Sequence, residues 1–133
     1  MNPLPPGDAV VLGVGVDVVS IAQVRATLER TGDAFLEHAF ASEELLALSS
    51  GPLRAGQVAT RFAVKEAVFK CLGTDWTPGA SFADIVVGPC RDSGPEVSLH
   101  GDLAAAFAAR GADRVLVSLS QAGDTAVAVA ILV

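Results

Sequence analysis

Two kinds of hydrophobic pattern follow one another along this chain and divide it into predicted strands and helices. Nearly continuous apolar runs rich in Val, Ile and Leu predict strands, whereas apolar residues spaced three and four apart predict helices. The predicted strands cover residues 10–19, 82–87, 96–99, 114–120 and 125–133. The predicted helices cover residues 21–30, 33–38, 42–48, about 53–72 and 102–110. Because the last strand is apolar on both faces, we expect both faces to be covered.

The organisation of the chain predicts a single domain. No repeat, low-complexity segment or long linker interrupts the pattern, and 133 residues fit one domain. We predict a flexible tail over residues 1–9, because this proline-rich opening lacks the basic region of a signal peptide. The predicted domain therefore covers residues 10–133.

The longest predicted helix carries four charges in an otherwise apolar sequence. At 100° per residue, Glu66 and Lys70 share one edge of this helix, while Arg61 and Lys65 share another. A surface helix would collect its charges on one broad face. The split arrangement indicates a cleft for an anion, with or without an accompanying metal. The alternative is a Glu66–Lys70 salt bridge on a buried helix, worth a few tenths of a kcal/mol.

The first predicted strand, residues 10–19, is expected to be buried, and it carries a lone carboxylate, Asp17, after two glycines. Burying an unpaired carboxylate is costly, so Asp17 needs a metal or a positive partner such as Lys65 or Lys70. Two carboxylates from different elements, together with a substrate phosphate, commonly hold Mg²⁺. Asp17 and Glu66 are therefore the candidate metal ligands. The alternative is that Asp17 lies at the strand end and caps the helix that follows.

Composition narrows the possible functions. The net charge of −6 argues against general nucleic-acid binding, which requires a basic face. Charged or polar residues interrupt every apolar stretch, so no membrane helix is predicted. Hydrophobic residues make up 51% of the chain, which is more than a small monomer easily buries, and this predicts burial between subunits. Cys71 and Cys90 lack the spacing of metal ligands.

Three blocks of sequence carry a family resemblance. The first is Gly13-Val14-Gly15-Val16-Asp17-Val18-Val19. The second is Arg61-Phe62-Ala63-Val64-Lys65-Glu66-Ala67, followed by Lys70 and Gly73-Thr74. The third comprises Ser93-Gly94-Pro95-Glu96-Val97-Ser98-Leu99, Gly101 and Val117-Ser118-Leu119-Ser120. In this order and spacing they resemble the holo-acyl-carrier-protein synthases, which are small 4′-phosphopantetheinyl transferases.

The resemblance implies a reaction and a set of site residues. It implies cytoplasmic transfer of 4′-phosphopantetheine from coenzyme A to a serine of an acyl carrier protein of fatty-acid or polyketide biosynthesis, with 3′,5′-ADP leaving. Mg²⁺ would be held by Asp17 and Glu66, which form the catalytic set with Lys70. The implied coenzyme A contacts are Arg61, Lys65, Gly73, Thr74, Ser120 and Gln121. In fold, the resemblance implies an α+β domain with a small antiparallel sheet packed on a long helix. Such domains commonly form homotrimers with active sites between neighbouring subunits.

The chain departs from the family pattern at several positions. These are Ser20, Gln23, Asp75, Gln121 and Ala122. Each change removes a charge, a titratable group or a glycine. The alternative function is therefore a non-catalytic homologue that binds carrier protein or coenzyme A. A more remote alternative is a structural apolar trimer in which Asp17 and Glu66 pair with lysines.

Overall fold

The chain folds into the elements that its hydrophobic pattern predicts, with boundaries shifted by a few residues. The computed structural model describes residues 10–73, 81–91 and 94–133. Its strands are β1 (Gly13–Ser20), β2 (Ile85–Arg91), β3 (Gly94–Leu99), β4 (Val115–Ala122) and β5 (Thr125–Leu132). Its α-helices are α1 (Ile21–Thr31), α2 (Ala34–Ala39), α3 (Ser42–Ala47), α4 (Arg54–Leu72) and α5 (Gly101–Ala109). The predicted tail over residues 1–9 lies outside the described residues.

The strands form two antiparallel sheets. In the larger sheet the order is β1-β5-β4, so the C-terminal strand lies in the centre, while β2 and β3 form a separate hairpin. Asp17 pairs with Ala128 across the β1–β5 ladder. The long helix α4 packs on this three-stranded sheet. The arrangement confirms the predicted α+β fold, with a small antiparallel sheet on a long helix.

Small residues allow α4 to lie very close to the sheet. A Cβ atom built on Gly13 would stand 2.0 Å from the carbonyl oxygen of Cys71, and one on Gly15 would stand 2.0 Å from that of Ala67. Alanines occupy the facing positions of the central strand, and they are fully buried: Ala126, Ala128 and Ala130. Because no larger side chain stands between them, helix and sheet pack backbone against backbone.

The face of the sheet that points away from α4 is apolar and partly uncovered. Val14, Val16 and Val18 of β1 are 61%, 53% and 64% exposed. Their partners on β5 are Ile131, Val129 and Val127, which are half-buried. We call these six residues the outer sheet face. The prediction of a buried first strand is thus wrong within this chain, because alternate side chains point away from the helix.

The C-terminal end of α4 is fastened by an arginine from the end of α5. Gly73 ends the helix with a φ of +92°, a conformation that favours glycine. Arg110 donates from Nη1 to the Leu72 carbonyl and from Nη2 to the Leu12 carbonyl, both at 2.7 Å. The guanidinium therefore satisfies a free carbonyl of the helix terminus and ties it to the segment that enters β1.

Cys71 lies in the core on the last turn of α4. Its Sγ donates to the Val68 carbonyl at 3.1 Å. Burial raises the pKa of this thiol to about 11. Cys71 is therefore a small apolar core residue.

Within the described ranges, every helix is too short or too polar to cross a membrane.

The close contact between β1 and α4 gives a test by substitution. Gly15→Ala should lower the free energy of unfolding by about 3 kcal/mol, because its Cβ would overlap the Ala67 carbonyl oxygen. Gly88→Ala is the matched control, since a Cβ there would meet its nearest neighbour, in Glu96, at an ordinary 3.5 Å. Urea denaturation at one protein concentration measures both variants. Equal stabilities for the two would contradict this account of the packing.

Candidate active site

Asp17 faces α4 because it shares the glycine side of β1. Side chains alternate along a strand, so Gly13, Gly15 and Asp17 point to the same face. The Asp17 side chain is 15% exposed, and its Oδ1 accepts a hydrogen bond from Lys70 Nζ at 2.9 Å. Lys70 also donates to the Val16 carbonyl at 3.0 Å. The lysine thus provides the positive partner that a carboxylate on this strand requires.

Glu66 lies one helical turn before Lys70 and next to Asp17. Burial raises the pKa of Glu66 above its ordinary value, and the charge of Asp17 raises it further, while Lys70 opposes both effects. The pKa of Lys70 is in turn raised, chiefly by its hydrogen bond to Asp17. Because a second carboxylate lies close enough to disfavour the charge on Glu66, the two together form a site that attracts a cation.

Both carboxylates line the same cavity. Its volume is about 360 Å³, and α1, α2 and α4 each contribute one apolar side chain to its lining, Val24, Phe35 and Phe62. The lining residues are Asp17, Val18, Val19, Ser20, Gln23, Val24, Thr27, Phe35, Phe62 and Glu66. Among the described residues, no group of three His, Cys, Asp or Glu side chains forms a closed metal site. Two hard oxygen donors facing a cavity suit Mg²⁺, which keeps several positions for water and substrate phosphate.

Lys65 does not lie in this cavity. It is completely buried on another flank of α4, and its Nζ donates to Glu44 Oε1 at 2.6 Å. Nζ also donates to the carbonyl oxygens of Phe82 and Ile85. The prediction that Lys65 contacts coenzyme A is therefore wrong, because its three N–H groups are all directed into the protein. Burial lowers the pKa of Lys65 and the charge of Arg61 lowers it further, so the two basic residues do share an edge of α4, but neither lines the carboxylate cavity.

Arg61 and Gly73 lie on α4 outside the carboxylate cavity. Arg61 donates from Nη1 to the Gln57 carbonyl at 3.4 Å, and its buried Nε has no hydrogen-bond partner. Gly73 is the residue that ends α4. Thr74 and Asp75 lie outside the described residues. The predicted coenzyme A contacts of Arg61, Gly73 and Thr74 therefore stay predictions.

Gln121 and Ser120 are separated from the carboxylates in this chain. Gln121 lies against Gly56, where an added Cβ would stand 3.3 Å from its Nε2. Gly56 precedes Glu66 by ten residues, which is about 15 Å along the helix axis. Ser120 pairs with Val127 and is exposed. The structure thus leaves both residues away from the Asp17–Glu66 pair.

Sequence reasoning missed an acidic residue beside Ser20. The Ser20 hydroxyl donates to Asp124 Oδ2 at 2.8 Å and accepts from the Gln23 backbone N–H at 3.2 Å. Asp124 Oδ1 also accepts from the Ala22 backbone N–H at 2.7 Å. Ser20 is therefore the N-cap of α1, and Asp124 places a negative charge at the positive end of that helix. The Ala122-Gly123-Asp124 turn was the only sequence signal for this contact.

A family model and a curated relative match most of the chain. The model described as the 4′-phosphopantetheinyl transferase superfamily matches residues 13–130. A holo-[acyl-carrier-protein] synthase of Desulforudis audaxviator is 42% identical over 123 residues, which cover 92% of this chain and 93% of the relative.

Solved structures of holo-[acyl-carrier-protein] synthases share the fold. The Neisseria meningitidis protein matches with a TM-score of 0.82 and 31% identity, over 92% of this chain and 98% of its own. The Bacillus anthracis protein, solved in complex with CoA (3′,5′-ADP), matches with a TM-score of 0.73 and 28% identity, over 93% and 97%.

The carboxylate pair gives a direct prediction. Asp17→Asn should lower the pKa of Glu66, because it removes a neighbouring negative charge and releases Lys70 to interact with Glu66. Carboxyl ¹³C chemical shifts followed through a pH titration report this pKa. An unchanged Glu66 titration would show that the two carboxylates do not interact.

Proposed function

This chain belongs to the 4′-phosphopantetheinyl transferase superfamily, and on that basis we propose that it transfers 4′-phosphopantetheine from coenzyme A to a serine of an apo acyl carrier protein. The products are the holo carrier protein and 3′,5′-ADP, and the reaction takes place in the cytoplasm. Support for coenzyme A as donor comes from the Bacillus anthracis relative, which was solved with this ligand.

The observation that carries the proposal is the pair of carboxylates beside an exposed lysine. Asp17 and Glu66 line one cavity, and Lys70 is half-exposed at its edge. We assign Asp17 and Glu66 as ligands of Mg²⁺. When bound, this ion would neutralise charge on the pyrophosphate of coenzyme A as the phosphoryl group is transferred.

The rest of the reaction involves Lys70 and the two substrates. The carrier serine oxygen forms a bond to the phosphorus that bears pantetheine, the bond from that phosphorus to 3′,5′-ADP breaks, and the serine proton passes to solvent water. Lys70 is a cation at neutral pH, because its hydrogen bond to Asp17 raises a pKa that already lies above 10. Lys70 therefore neutralises the departing phosphate and does not act as the base.

Removing one carboxylate should abolish the transfer. Glu66→Gln keeps the size of the side chain but removes a metal ligand, so the rate should fall by roughly 10²-fold or more. The assay is the intact mass of an apo carrier protein after incubation with coenzyme A and Mg²⁺. The control is Glu37→Gln, which makes the same substitution at an exposed position on α2.

Two results would contradict the proposal. If the folded Glu66→Gln variant transfers phosphopantetheine at the wild-type rate, Glu66 is not a ligand of the catalytic metal. A wild-type chain that binds coenzyme A but never modifies any carrier protein would favour the non-catalytic homologue.

We also propose that the enzyme is a homo-oligomer, and the family resemblance favours a trimer. The outer sheet face presents six β-branched residues in register on two neighbouring strands, and three of them are more than half exposed. A contiguous apolar surface of this kind is typical of a subunit interface. Gln121 lies against Gly56, which is about 15 Å along α4 from Glu66 of the same chain. We therefore infer that the Gln121 amide serves the active site of a neighbouring subunit.

A charge on the outer sheet face should dissociate the assembly. Val16→Glu places a carboxylate in the middle of this face, so we expect a monomer in sedimentation velocity at micromolar concentration. Leu46→Glu is the matched control, because Leu46 is 88% exposed on α3, away from the sheet. A monomeric wild type, or an oligomer that tolerates Val16→Glu, would refute this interface.

A further inference from the structure

A buried ion pair joins α4 to two other segments of the chain. Lys65 is the largest of the completely buried side chains among the described residues, and its partner Glu44 on α3 is 2% exposed. Their charged atoms are 2.6 Å apart. Lys65 Nζ also lies 4.7 Å from the centre of the Phe40 ring. A lysine and a glutamate buried in this way lose their hydration, so their charged atoms need hydrogen-bond partners inside the protein.

All three N–H groups of Lys65 and both carboxylate oxygens of Glu44 have hydrogen-bond partners. Besides Glu44, Lys65 donates to the carbonyls of Phe82 and Ile85, the second of which opens β2. Glu44 accepts from the backbone N–H groups of Ala41 and Val87 at 2.9 and 3.1 Å. The pair therefore binds four backbone groups as well as each other, so it fixes where α3 and β2 lie relative to α4.

Because it holds Lys65 on one side of α4, this network constrains the rotation of the helix about its own axis. Lys65 and Glu66 are consecutive, so their side chains leave the helix 100° apart. When Lys65 is held toward α3 and β2, Glu66 is directed toward β1 and Asp17. Reactive groups must be held to within about 0.5 Å by the residues that support them.

We propose that Lys65 and Glu44 are positioning residues for Glu66, and that they hold its carboxylate in register with Asp17 for divalent-cation binding. The inference rests on the proposed function, in which Asp17 and Glu66 are metal ligands. Net stability does not explain the pair, because a buried ion pair is often no more stable than apolar residues of the same volume. The role of the ion pair is to fix orientation, because its two charged side chains hydrogen-bond to four backbone groups at once.

The test is the double variant Lys65→Met/Glu44→Gln in the full chain. It removes both charges together, so no buried charge is left alone, and the amide keeps hydrogen-bonding capacity for the Ala41 or Val87 N–H. Mn²⁺ serves as the probe, and electron paramagnetic resonance measures its binding without any turnover. The control is Leu103→Val, which disturbs the same core but removes no charge and no hydrogen bond of the network.

The double variant should bind Mn²⁺ about tenfold more weakly than the wild type. Its transfer rate should fall at low Mg²⁺ and recover as Mg²⁺ is raised, because a misdirected ligand weakens cation binding more than it affects the chemical step. Leu103→Val should lose thermal stability but keep the wild-type Mn²⁺ affinity.

A folded double variant with Mn²⁺ affinity within about twofold of wild type would overturn the positioning role. If the double variant does not fold, Glu44→Asp, which keeps both charges but shortens the carboxylate side chain by one methylene, is held to the same criterion. A wild-type chain that transfers no phosphopantetheine would instead refute the proposed function, while Mn²⁺ binding would still decide the role of Lys65 and Glu44.

Discussion

The close approach of α4 to β1 is the constraint on which the site depends. Gly13 and Gly15 have ordinary backbone dihedrals, so they are required for space and not for a turn. Without a Cβ on these residues, the strand backbone meets the carbonyl oxygens of the helix. The next residue on the same face of β1 is Asp17, which therefore reaches Glu66 and Lys70 on α4. The glycines thus determine which residues meet as well as how tightly they pack.

Two flanks of α4 serve different purposes. One edge, with Glu66 and Lys70, borders a cavity and keeps access to solvent. The flank with Lys65 is closed, and its charge is satisfied by Glu44 and by backbone carbonyls. A charged residue on the closed flank needs all of its partners inside the protein, whereas one on the open edge can exchange partners with a ligand. The two lysines, five residues apart, therefore differ in chemistry because one is completely buried and the other is half-exposed.

Local pattern predicted the elements and the open edge of the site, but not the closed flank. Hydrophobic spacing predicted the order of strands and helices, and helical periodicity placed Glu66 beside Lys70, because both follow from short-range geometry. The partner of Lys65 could not be found in this way, since Glu44 lies 21 residues away on a short helix whose docking is a tertiary event. The same limit explains the outer sheet face. A strand with valine at every second position does not reveal whether its second side meets the same chain or another one.

The burial of Cys71 has a consequence for redox chemistry. Coenzyme A, the proposed donor, ends in a thiol, and so does the arm it delivers, so the protein works in contact with groups that exchange disulfides. Exchange requires a thiolate and an open approach to sulfur. With a pKa of about 11, roughly one Cys71 side chain in 10⁴ is ionised at pH 7, and the core shields it. Oxidised coenzyme A should therefore leave Cys71 unmodified, and the enzyme can act on thiol-bearing substrates without forming a mixed disulfide at this position.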